Sequence, residues 1–540
     1  MKKNNWKIIS DARGKSVSDI VKKIWTGRGI TNPSVFCNPV GFIHPATAFK
    51  NIQAAALTFT KHIKNSSQFL IYADVDADGC SSAAILYHYL SNFGIESKLF
   101  INNKKDHGIQ EYFFEREIFD EDIVIVVDSI NDTTEMYDRI LALGKDLIIL
   151  DHHIPKQEIL DRQVDFNLVS SANDYPNPHL SGSGVTWKFV NYIDFLMNTK
   201  YSETLYDLAS VGIIADVCSI GPEAMENREI CHRGFSYLYN VGLRAAVGNT
   251  EMTADTVGFS IGPLINAANR MNENELALSL FTTTIESEAK QIVKQLTKIK
   301  DKQKTIVGKL FEDIESKVEE QSTEPCYIFY VDDSYGTLGG LIATKAADKW
   351  KRPCIVLHES ENVFAGSMRS VGVDNFRQLL NDSGCADCQG HEASAGVIIP
   401  KADIIHLKEY LREHLTALDL EPETTVDIQL ERMQLSPLLL EKLKEINRIS
   451  GAGFPAVTVL IENVQDYAVK KMSQGKHLCI EVPDMKFLYW NFNDWHTIVE
   501  NASMSAIGVV DESFFAGKRS TQMLLTDYTF ETVPQRNTLW

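Results

Sequence analysis

The stretch Phe69-Leu-Ile-Tyr-Ala73, followed at once by Asp74-Val-Asp76-Ala-Asp78-Gly79, decides the fold of this chain. Five apolar residues in a row are typical of a parallel strand that is buried on both faces. The acidic residues mark the end of that strand, and the segment from Ser81 to Phe93 then shows a helical pattern. A strand, an acidic turn and a helix together predict the first unit of a doubly wound α/β domain.

The same pattern recurs further along the chain. Ile123-Val-Ile-Val-Val127 leads into Asp128, and Leu147-Ile-Ile-Leu150 leads into Asp151-His152-His153. Ligands of open α/β sheets bind at the carboxyl ends of the strands, so we expect five carboxylates and two imidazoles in one crevice. A fourth contribution is expected from Ile213-Ile-Ala-Asp216, another apolar segment that ends in an aspartate.

These acidic strand ends predict a metal centre. A single aspartate at a strand end is usually a helix cap or a turn former, but the repetition of the feature weakens that interpretation. So many carboxylates would repel one another, and divalent cations are the natural compensation. Carboxylates with one or two histidines suit Mn²⁺ or Mg²⁺ better than structural zinc. Two such ions can clamp an in-line phosphoryl displacement and generate hydroxide from bound water.

In order and spacing these motifs resemble those of the DHH phosphoesterase family. They are Asp-x-Asp-x-Asp-Gly at 74–79, Asp128, Asp151-His152-His153 and Asp216. Other stretches resemble the RecJ branch of that family and cover most of the chain, up to about residue 500. They are Arg28-Gly-Ile30, Gly182-Ser-Gly184, Glu226-Asn-Arg228, Gly262 to Arg270, Gly366-Ser-Met-Arg-Ser370, Gly390 to Gly396, Gly451-Ala-Gly-Phe-Pro455 and Gly475-Lys-His477.

The resemblance implies a role for each shared residue. The residues that would bind two metal ions are Asp76, Asp78, Asp128, His152 and Asp216. Asp74 and Asp151 would orient those ligands, and His153 would face the scissile phosphate. The residues that would hold phosphate oxygens are Lys104, Arg270, Arg369, Ser370 and His391, of which the last three would reach across from a second domain.

The chain departs from the RecJ-like pattern at four positions that bear on recognition of a 5′ end. Lys104 stands where an arginine is usual, and a lysine is a point charge without the bidentate fork of arginine. Asn269 replaces a glycine before Arg270. Tyr335 lies where a loop with Trp-His is usual, and Gln389 replaces the first of two glycines.

A chain of 540 residues is too long for one hydrophobic core, so several domains are expected. We predict an α/β protein with a parallel-sheet DHH domain, a linker helix, a smaller second α/β domain and a C-terminal oligonucleotide-binding β-barrel. The predicted ranges are an N-terminal segment 1–50, the DHH catalytic domain 51–284, a connecting helix 285–321, a DHH-associated substrate-binding domain 322–415, and the barrel with a C-terminal tail 416–540.

Bulk composition restricts the location and the partners. The net charge is −19, which argues against tight non-specific duplex binding, although metals held by carboxylates reverse the sign locally. No apolar run approaches the roughly 18 residues that span a bilayer, and the chain starts without the apolar stretch of a signal peptide. Nine scattered cysteines suit reduced thiols. We therefore expect a cytoplasmic protein without membrane contact.

Two features of the sequence, a row of lysines and an aromatic strand, are candidates for contacts with nucleic acid. Lys290, Lys294 and Lys298 follow one another at a spacing of four, which places them along one helix face. A solvated linker face is the favoured interpretation, and a stripe that tracks backbone phosphate is the alternative. Trp490 and Phe492 lie on one face of an aromatic strand, where core packing and base stacking fit about equally well.

The resemblance implies a monomeric 5′→3′ exonuclease specific for single-stranded DNA, acting in DNA repair and recombination. A single-strand binding protein or a helicase would be a further partner. A phosphodiesterase or phosphatase for short oligonucleotides or nucleotides is the alternative, but such relatives typically lack a third domain. A non-catalytic DNA-binding replication factor is a third hypothesis, which the complete set of metal carboxylates disfavours.

Overall fold

The computed structural model describes residues 5–102, 108–115, 120–415, 423–490, 492, 495–499, 502–515 and 518–532. The chain divides into two units. The first contains Met1–Ile265, Asn274–Val293 and Glu423–Trp540, and the second contains Asn266–Glu273 and Lys294–Pro422. Within the described ranges, no helix is both long enough and apolar enough to cross a membrane.

The first unit begins with a short strand and two helices, β1 (Trp6–Ile8), α1 (Val17–Gly27) and α2 (Pro33–Cys37). Ser16 caps α1, because its hydroxyl accepts a hydrogen bond from a backbone N–H of the first turn. The buried face of α1 consists of Ile20, Ile24 and Trp25. The helix is therefore amphipathic and needs an apolar partner surface.

A five-stranded parallel sheet follows, as predicted. Its elements in chain order are α3 (Ile52–Lys64), β2 (Phe69–Ala73), α4 (Ala77–Ser91), β3 (Ser97–Ile101), β4 (Ile123–Val127), α5 (Glu135–Ala142), β5 (Asp146–Asp151), α6 (Gln157–Asp161) and β6 (Leu168–Ser170). The strand order is β3-β2-β4-β5-β6, and every neighbouring pair is parallel. All residues of β2 and β4 are buried, which explains their continuous apolar runs. The order of the strands reverses between β2 and β4, and this reversal opens a crevice at their carboxyl ends.

Helices follow the sheet in the chain, and most of them belong to the first unit. They are α7 (Gly182–Met197), α8 (Tyr206–Ala215), α9 (Met225–Ser236), α10 (Val241–Val247), α11 (Ala254–Thr256), α12 (Gly262–Arg270), α13 (Asn274–Thr282) and α14 (Glu286–Glu315). Helices α4, α7 and α8 pack against one another, and a turn of π-helix joins α11 to α12. Helix α14 lies within the range predicted for the connecting helix.

The second unit contains the smaller α/β structure. Its elements are β7 (Tyr327–Val331), α15 (Gly339–Trp350), β8 (Cys354–Glu359), β9 (Val363–Arg369), α16 (Phe376–Asp382), β10 (Asp387–His391), β11 (Ser394–Pro400) and α17 (Ile404–Leu415). The strand order is β10-β11-β9-β8-β7, in which only β7 and β8 pair in parallel. Alternate residues of β8 enter different cores, with Ile355 on one side and Val356 on the other. Both faces of this sheet are therefore covered.

A seven-stranded mixed sheet forms the C-terminal part of the first unit. The elements there are β12 (Thr424–Val426), β13 (Ile428–Leu430), α18 (Pro437–Asn447), β14 (Thr458–Val464), β15 (Ala468–Met472), β16 (His477–Val482), β17 (Met485–Tyr489), β18 (Ala502–Phe515) and β19 (Lys518–Thr532). The order is β13-β14-β18-β19-β17-β16-β15. Because β13 and β15 lie at opposite ends of this order, the described strands do not confirm the predicted oligonucleotide-binding β-barrel.

The N-terminal segment is built into this C-terminal part. Strand β1 pairs in parallel with β12, and the apolar face of α1 lies in one core with β13, β14 and α18. Arg28 joins the two regions, since its Nε and Nη2 each lie 2.7 Å from a carboxylate oxygen of Asp427. From the sequence, residues 1–50 and 416–540 are assigned to separate domains, and these domain boundaries remain a prediction. In space, the two segments share a hydrophobic core.

Arg228 ties three segments of the first unit together. Its buried guanidinium donates hydrogen bonds to the carbonyl oxygens of Phe36 at 2.7 Å, Ile220 at 3.1 Å and Ile449 at 2.9 Å. Burial lowers the pKa of Arg228 to about 10. The side chain connects the N-terminal segment, the loop after α8 and the chain just beyond α18. These contacts fix the loop that follows Asp216.

Candidate metal centre

Neighbouring strands bring the predicted acidic residues to one edge of the parallel sheet. Ala73 of β2 pairs with Val127 of β4, and Val127 pairs with Leu150 of β5. The next residue of each strand is an aspartate whose side chain is buried: Asp74, Asp128 and Asp151. The sheet therefore concentrates acidic groups in a place where water screens them poorly.

Asp76 opens helix α4 as its N-cap. One of its carboxylate oxygens accepts hydrogen bonds from the N–H groups of Asp78 at 3.0 Å and Gly79 at 3.2 Å. Glycine is required at 79, because a Cβ atom there would lie 2.4 Å from the carbonyl oxygen of Asp74. This close turn holds the three aspartates of the first motif next to one another.

Asp78 is anchored by the amino end of α7. Its oxygens accept hydrogen bonds from Gly182 N at 2.7 Å, Ser183 N at 3.0 Å and Ser181 Oγ at 3.0 Å. These donors and the helix dipole favour the charged carboxylate. Burial and the nearby charge of Asp216 nevertheless raise the pKa of Asp78 to about 6. A positive charge close to Asp78 would lower this pKa again and favour the ionised carboxylate.

Asp128 and His152 face each other at the centre of the site. Oδ1 of Asp128 lies 3.2 Å from Nε2 of His152, which also lies 3.5 Å from Oδ2 of Asp216. Both facing atoms are buried, and neither has a hydrogen-bond partner among the described residues. Burial and the charges of Asp78 and Asp76 raise the pKa of Asp128 well above its usual range. The imidazole nitrogen of His152 and carboxylate oxygens of Asp128 and Asp216 thus converge. One nitrogen ligand with carboxylate oxygens fits a divalent cation.

Asp151 holds both histidines of its motif. Its Oδ1 accepts hydrogen bonds from the backbone N–H groups of His152 and His153, each at 2.7 Å, and from Nδ1 of His153 at 2.8 Å. Burial would raise the pKa of Asp151, but the charge and hydrogen bond of His153 outweigh burial and hold it well below its usual range. Burial likewise disfavours the His153 cation, but Asp151 raises the pKa of His153 to about 9. Asp151 therefore orients one imidazole and keeps it protonated.

Potential ligand atoms form three sets in which all atoms lie within 4.8 Å of one another. The sets are Asp74, Asp76 and Asp128, then Asp128, His152 and His153, and finally His152, Asp216 and Cys218. The structure thus brings together the predicted residues of three strand ends and Asp216, which follows helix α8 and not a strand. Cys218 was not predicted, because no residue type in its neighbourhood distinguishes it from a structural thiol. Asp78 lies at the edge of the cluster, with Oδ2 4.0 Å from Nε2 of His152.

Three predicted phosphate ligands, Arg369, Ser370 and His391, lie in or directly beside the small α/β sheet of the second unit. Arg369, Ser394 and His391 occupy one cross-strand row of β9, β11 and β10, so their side chains share a face. Within the described part of the chain, Arg369 forms no ion pair with a carboxylate. A Cβ atom at Gly340 would lie 3.0 Å from Nη2 of Arg369, so this glycine leaves room for the guanidinium. The hydroxyl of Ser370 donates to the carbonyl oxygen of Val373 at 2.9 Å.

Gly340 was missed in the sequence, where only the pair Gly339-Gly340 at a helix start could have signalled it. It lies in the first turn of α15, whose N–H groups and dipole favour anions. Arg270, another predicted phosphate ligand, is the last residue of α12 and is partly buried. The predicted ligand Lys104 lies outside the described residues.

The predicted nucleic-acid contacts have different environments. Lys290, Lys294 and Lys298 are exposed on α14, and Nζ of Lys290 lies 2.6 Å from a carboxylate oxygen of Glu286. The side chain of Trp490 is 52% exposed, whereas that of Phe492 is 3% exposed. Phe492 belongs to the hydrophobic core of the C-terminal sheet and offers no ring face to a base. Core packing therefore accounts for Phe492, while Trp490 retains an accessible ring.

Residues 68–213 match the model of the DHH family, N-terminal domain, and form a DHH domain. This range includes the parallel sheet, the first three motifs and most of α8. The chain thus carries a DHH domain, and other parts of it are similar to RecJ proteins.

Curated relatives extend the similarity beyond the DHH domain. The single-stranded-DNA-specific exonuclease RecJ of Bacillus subtilis is 26% identical over 509 residues, which cover 88% of this chain and 63% of that protein. The chain thus spans less than two thirds of the length of this relative. The single-stranded-DNA-specific exonuclease RecJ of Thermus thermophilus is 22% identical over 493 residues, which cover 88% of this chain and 71% of the relative.

The fold has a counterpart among solved structures. The crystal structure of Thermus thermophilus RecJ in complex with Mn²⁺ has a TM-score of 0.78 and 21% sequence identity, and the match covers 98% of this chain and 80% of that one. The same protein has also been solved with Mg²⁺. At this identity the comparison establishes a shared fold.

Proposed function

We propose that this chain is a metal-dependent exonuclease that hydrolyses single-stranded DNA from its 5′ end. The observation that carries the proposal is the convergence of Asp128, His152 and Asp216. Asp128 Oδ1 and His152 Nε2 are buried there and lack hydrogen-bond partners in the described ranges. The names of the two curated relatives, which specify single-stranded DNA, support the choice of substrate.

The residues that would hold two Mn²⁺ or Mg²⁺ ions are Asp76, Asp78, Asp128, His152 and Asp216. When bound, such ions supply a Lewis acid for the phosphoryl oxygen and a hydroxide nucleophile at neutral pH. Asp74 and Asp151 would keep the ligands in place. Because Asp151 accepts the proton on Nδ1 of His153, the other ring nitrogen of His153 would donate to a phosphate oxygen of the substrate.

Arg369, Ser370 and His391 would bind the terminal 5′-phosphate and so impose direction on cleavage, with Lys104 and Arg270 as additional phosphate contacts. The absence of a carboxylate partner for Arg369 in the described ranges supports this role, as does the room that Gly340 leaves beside it. An arginine suits a terminal phosphate because its planar fork can donate two parallel hydrogen bonds.

The remaining parts of the proposal concern partners and setting. We propose a monomeric, cytoplasmic protein that acts in DNA repair and recombination, with a single-strand binding protein or a helicase as partner. The exposed ring of Trp490 supports stacking on a base of the single strand. The exposed lysines of α14 are compatible with a phosphate-tracking stripe, although Glu286 partly neutralises Lys290.

The decisive experiment uses single strands labelled at either end, incubated with the protein and Mn²⁺. We expect the 5′-labelled strand to release labelled mononucleotide at once. The 3′-labelled strand should shorten gradually. Degradation from the 3′ end would overturn the proposed polarity. Cleavage limited to strands of a few nucleotides would instead favour the short-oligonucleotide phosphodiesterase, and DNA binding without cleavage would identify a non-catalytic factor.

A further inference from the structure

The carboxyl end of helix α8 presents two side chains to the same point. Asp216 is the C-cap, and Val217 adopts a left-handed conformation with φ of 56°. The N–H of Val217 donates to the carbonyl oxygen of Ile214, and that of Cys218 donates to Ile213, each at 3.1 Å. This is the hydrogen-bond pattern of a Schellman motif, in which glycine is the usual left-handed residue. The turn brings the side chain of Cys218 back beside that of Asp216.

The thiol of Cys218 lies at the edge of the metal centre. Its Sγ is 3.4 Å from Oδ2 of Asp216, and the same oxygen is 3.5 Å from Nε2 of His152. Sulfur, carboxylate and imidazole atoms of these three residues all lie within 4.8 Å of one another. An independent feature also points to a cation, because the buried Oδ1 of Asp128 is directed at His152 and has no hydrogen-bond partner in the described residues.

The loop that carries the thiol is fixed by the rest of the first unit. The N–H of Ile220 donates to the carbonyl oxygen of Ala452 at 2.9 Å, and Arg228 donates to the carbonyl oxygen of Ile220. Asn227 Nδ2 donates to the carbonyl oxygen of Ser219 at 2.9 Å. Cys218 is therefore held in position by backbone contacts on both sides. Metal ligands that are fixed in this way bind without a further cost of ordering.

We propose that His152, Asp216 and Cys218 form a site for a thiophilic divalent cation, Zn²⁺ or Cd²⁺, which overlaps the centre assigned to Mn²⁺ or Mg²⁺. Three protein ligands with nitrogen, oxygen and sulfur atoms and one open position form a set that Zn²⁺ accepts, whereas Mg²⁺ and Mn²⁺ prefer oxygen. On binding, the thiol of Cys218 releases its proton to solvent and the thiolate coordinates the cation.

The consequence for activity rests on the proposed function. A Zn²⁺ ion that takes His152 and Asp216 withdraws two ligands from the catalytic ions, so it acts as an inhibitor. Cys218 is then the ligand that gives thiophilic cations access to the centre. Without its sulfur atom, the remaining ligands favour hard cations. Binding of the thiophilic cation itself requires no nuclease activity.

The test uses the full-length protein after removal of metals with a chelator. Titration with Cd²⁺ should produce an ultraviolet charge-transfer band from thiolate to cadmium that saturates near one equivalent. Cys218→Ser should lose the band and bind Zn²⁺ at least about tenfold more weakly, since even outer ligands of metal sites change affinity by that factor. Its affinity for Mn²⁺ should not change. Cys385→Ser is the matched control, because Cys385 is also partly exposed but lies in the second unit, and this variant should keep the band.

Retention of the cadmium band in Cys218→Ser, or equal Zn²⁺ affinities of the variant and the wild type, would overturn the inference. Cys218→Val repeats the test with an apolar residue of similar size if the serine variant does not fold by circular dichroism. Failure of the proposed function looks different, because the wild type would then lack Mn²⁺-dependent cleavage and still show the band. An active nuclease without the band would refute the thiophilic site alone.

Discussion

His152 Nε2 lies 3.2 Å from Asp128 Oδ1, and within the described part of the chain neither atom has a hydrogen-bond partner. Two buried polar atoms in this state cost stability, because each has lost its contact with water. Proteins accept such costs where a site is prepared for a ligand. The pair thus marks a point of the fold that a bound cation would satisfy.

Asp128→Asn should separate stability from activity. Cleavage should be lost, because a neutral amide would replace a charged carboxylate among the residues that would hold the metal ions. In the presence of a chelator, the free energy of unfolding should rise by about 1–2 kcal/mol, because the substitution removes a buried carboxylate. The pKa of Asp128 is raised, so its ionised form destabilises the fold, and the advantage of asparagine should grow as the pH rises.

Chemical denaturation with a chelator at several pH values, alongside a nuclease assay in Mn²⁺, tests this prediction. Asp132→Asn is the control, because Asp132 is exposed four residues away and should change neither property. Cleavage by the wild type that resists the chelator would contradict the metal assignment.

His153 should remain protonated in the metal-free protein up to a pH of about 9. Burial opposes the cation, but Asp151 outweighs burial. A histidine pKa that is raised above 6.5 stabilises the folded state fully below that pH, and the contribution is lost as the pH rises through about 9. Titration of ¹³C-labelled histidine by nuclear magnetic resonance measures the value.

Asp151→Asn should return the titration of His153 toward its ordinary range. Asp146→Asn serves as the control, because Asp146 lies on the same strand as Asp151 but forms its histidine contact with His62 of α3. An unchanged His153 titration in the Asp151 variant would mean that another group holds the proton.

The lysines of α14 distinguish a phosphate-tracking stripe from a solvated face. If the stripe contacts the strand, replacing Lys290, Lys294 and Lys298 by alanine should reduce the slope of log affinity against log salt by about 2, at about 0.7 per contact. Binding to labelled single strands over a range of salt concentrations provides the slope. Lys200→Ala is the control, since its side chain is 82% exposed on another part of the surface. An equal slope in all three proteins would leave α14 as a solvated linker.

Arg369→Ala should remove the preference for a 5′-phosphate. The expected cost is about 1.5–3 kcal/mol in kcat/KM, the value of a hydrogen bond to a charged group. Strands with a 5′-phosphate and a 5′-hydroxyl are compared in the same assay. Arg412→Ala is the matched control, because Arg412 is an exposed arginine of the second unit that already pairs with Glu324. Undiminished phosphate preference in the Arg369 variant would exclude this residue as the end anchor.

The parallel sheet and most of the metal centre could be predicted from sequence because their signal is local. Each buried strand is a continuous apolar run, and the acidic residue after it falls at the same sheet edge in every repeat. Asp74, Asp128 and Asp151 therefore follow from chain order alone. The family match to residues 68–213 confirms the domain that this pattern indicated.

Other parts of the site depend on contacts that no local pattern encodes. The anchoring of Asp78 by Ser181 and its neighbours joins residues 103 positions apart. The approach of Cys218 to Asp216 depends on a left-handed valine, which residue preferences would assign to an extended strand. Burial of Phe492 depends on the packing of the whole C-terminal sheet, so an aromatic pattern in one strand could not decide between stacking and core.

The pairing of β1 with β12 has a consequence for synthesis of the protein on the ribosome. The apolar side of α1, with Ile20, Ile24 and Trp25, emerges long before its partner surface, because Arg28 and its partner Asp427 are 399 residues apart. At about 5–20 residues per second, the first helix waits on the order of 20–80 s for its partner surface. During that time the nascent chain exposes the apolar face of α1, which a chaperone could bind. Because the core of α1 includes residues of α18 and β14, this helix completes its packing only after those elements have been made.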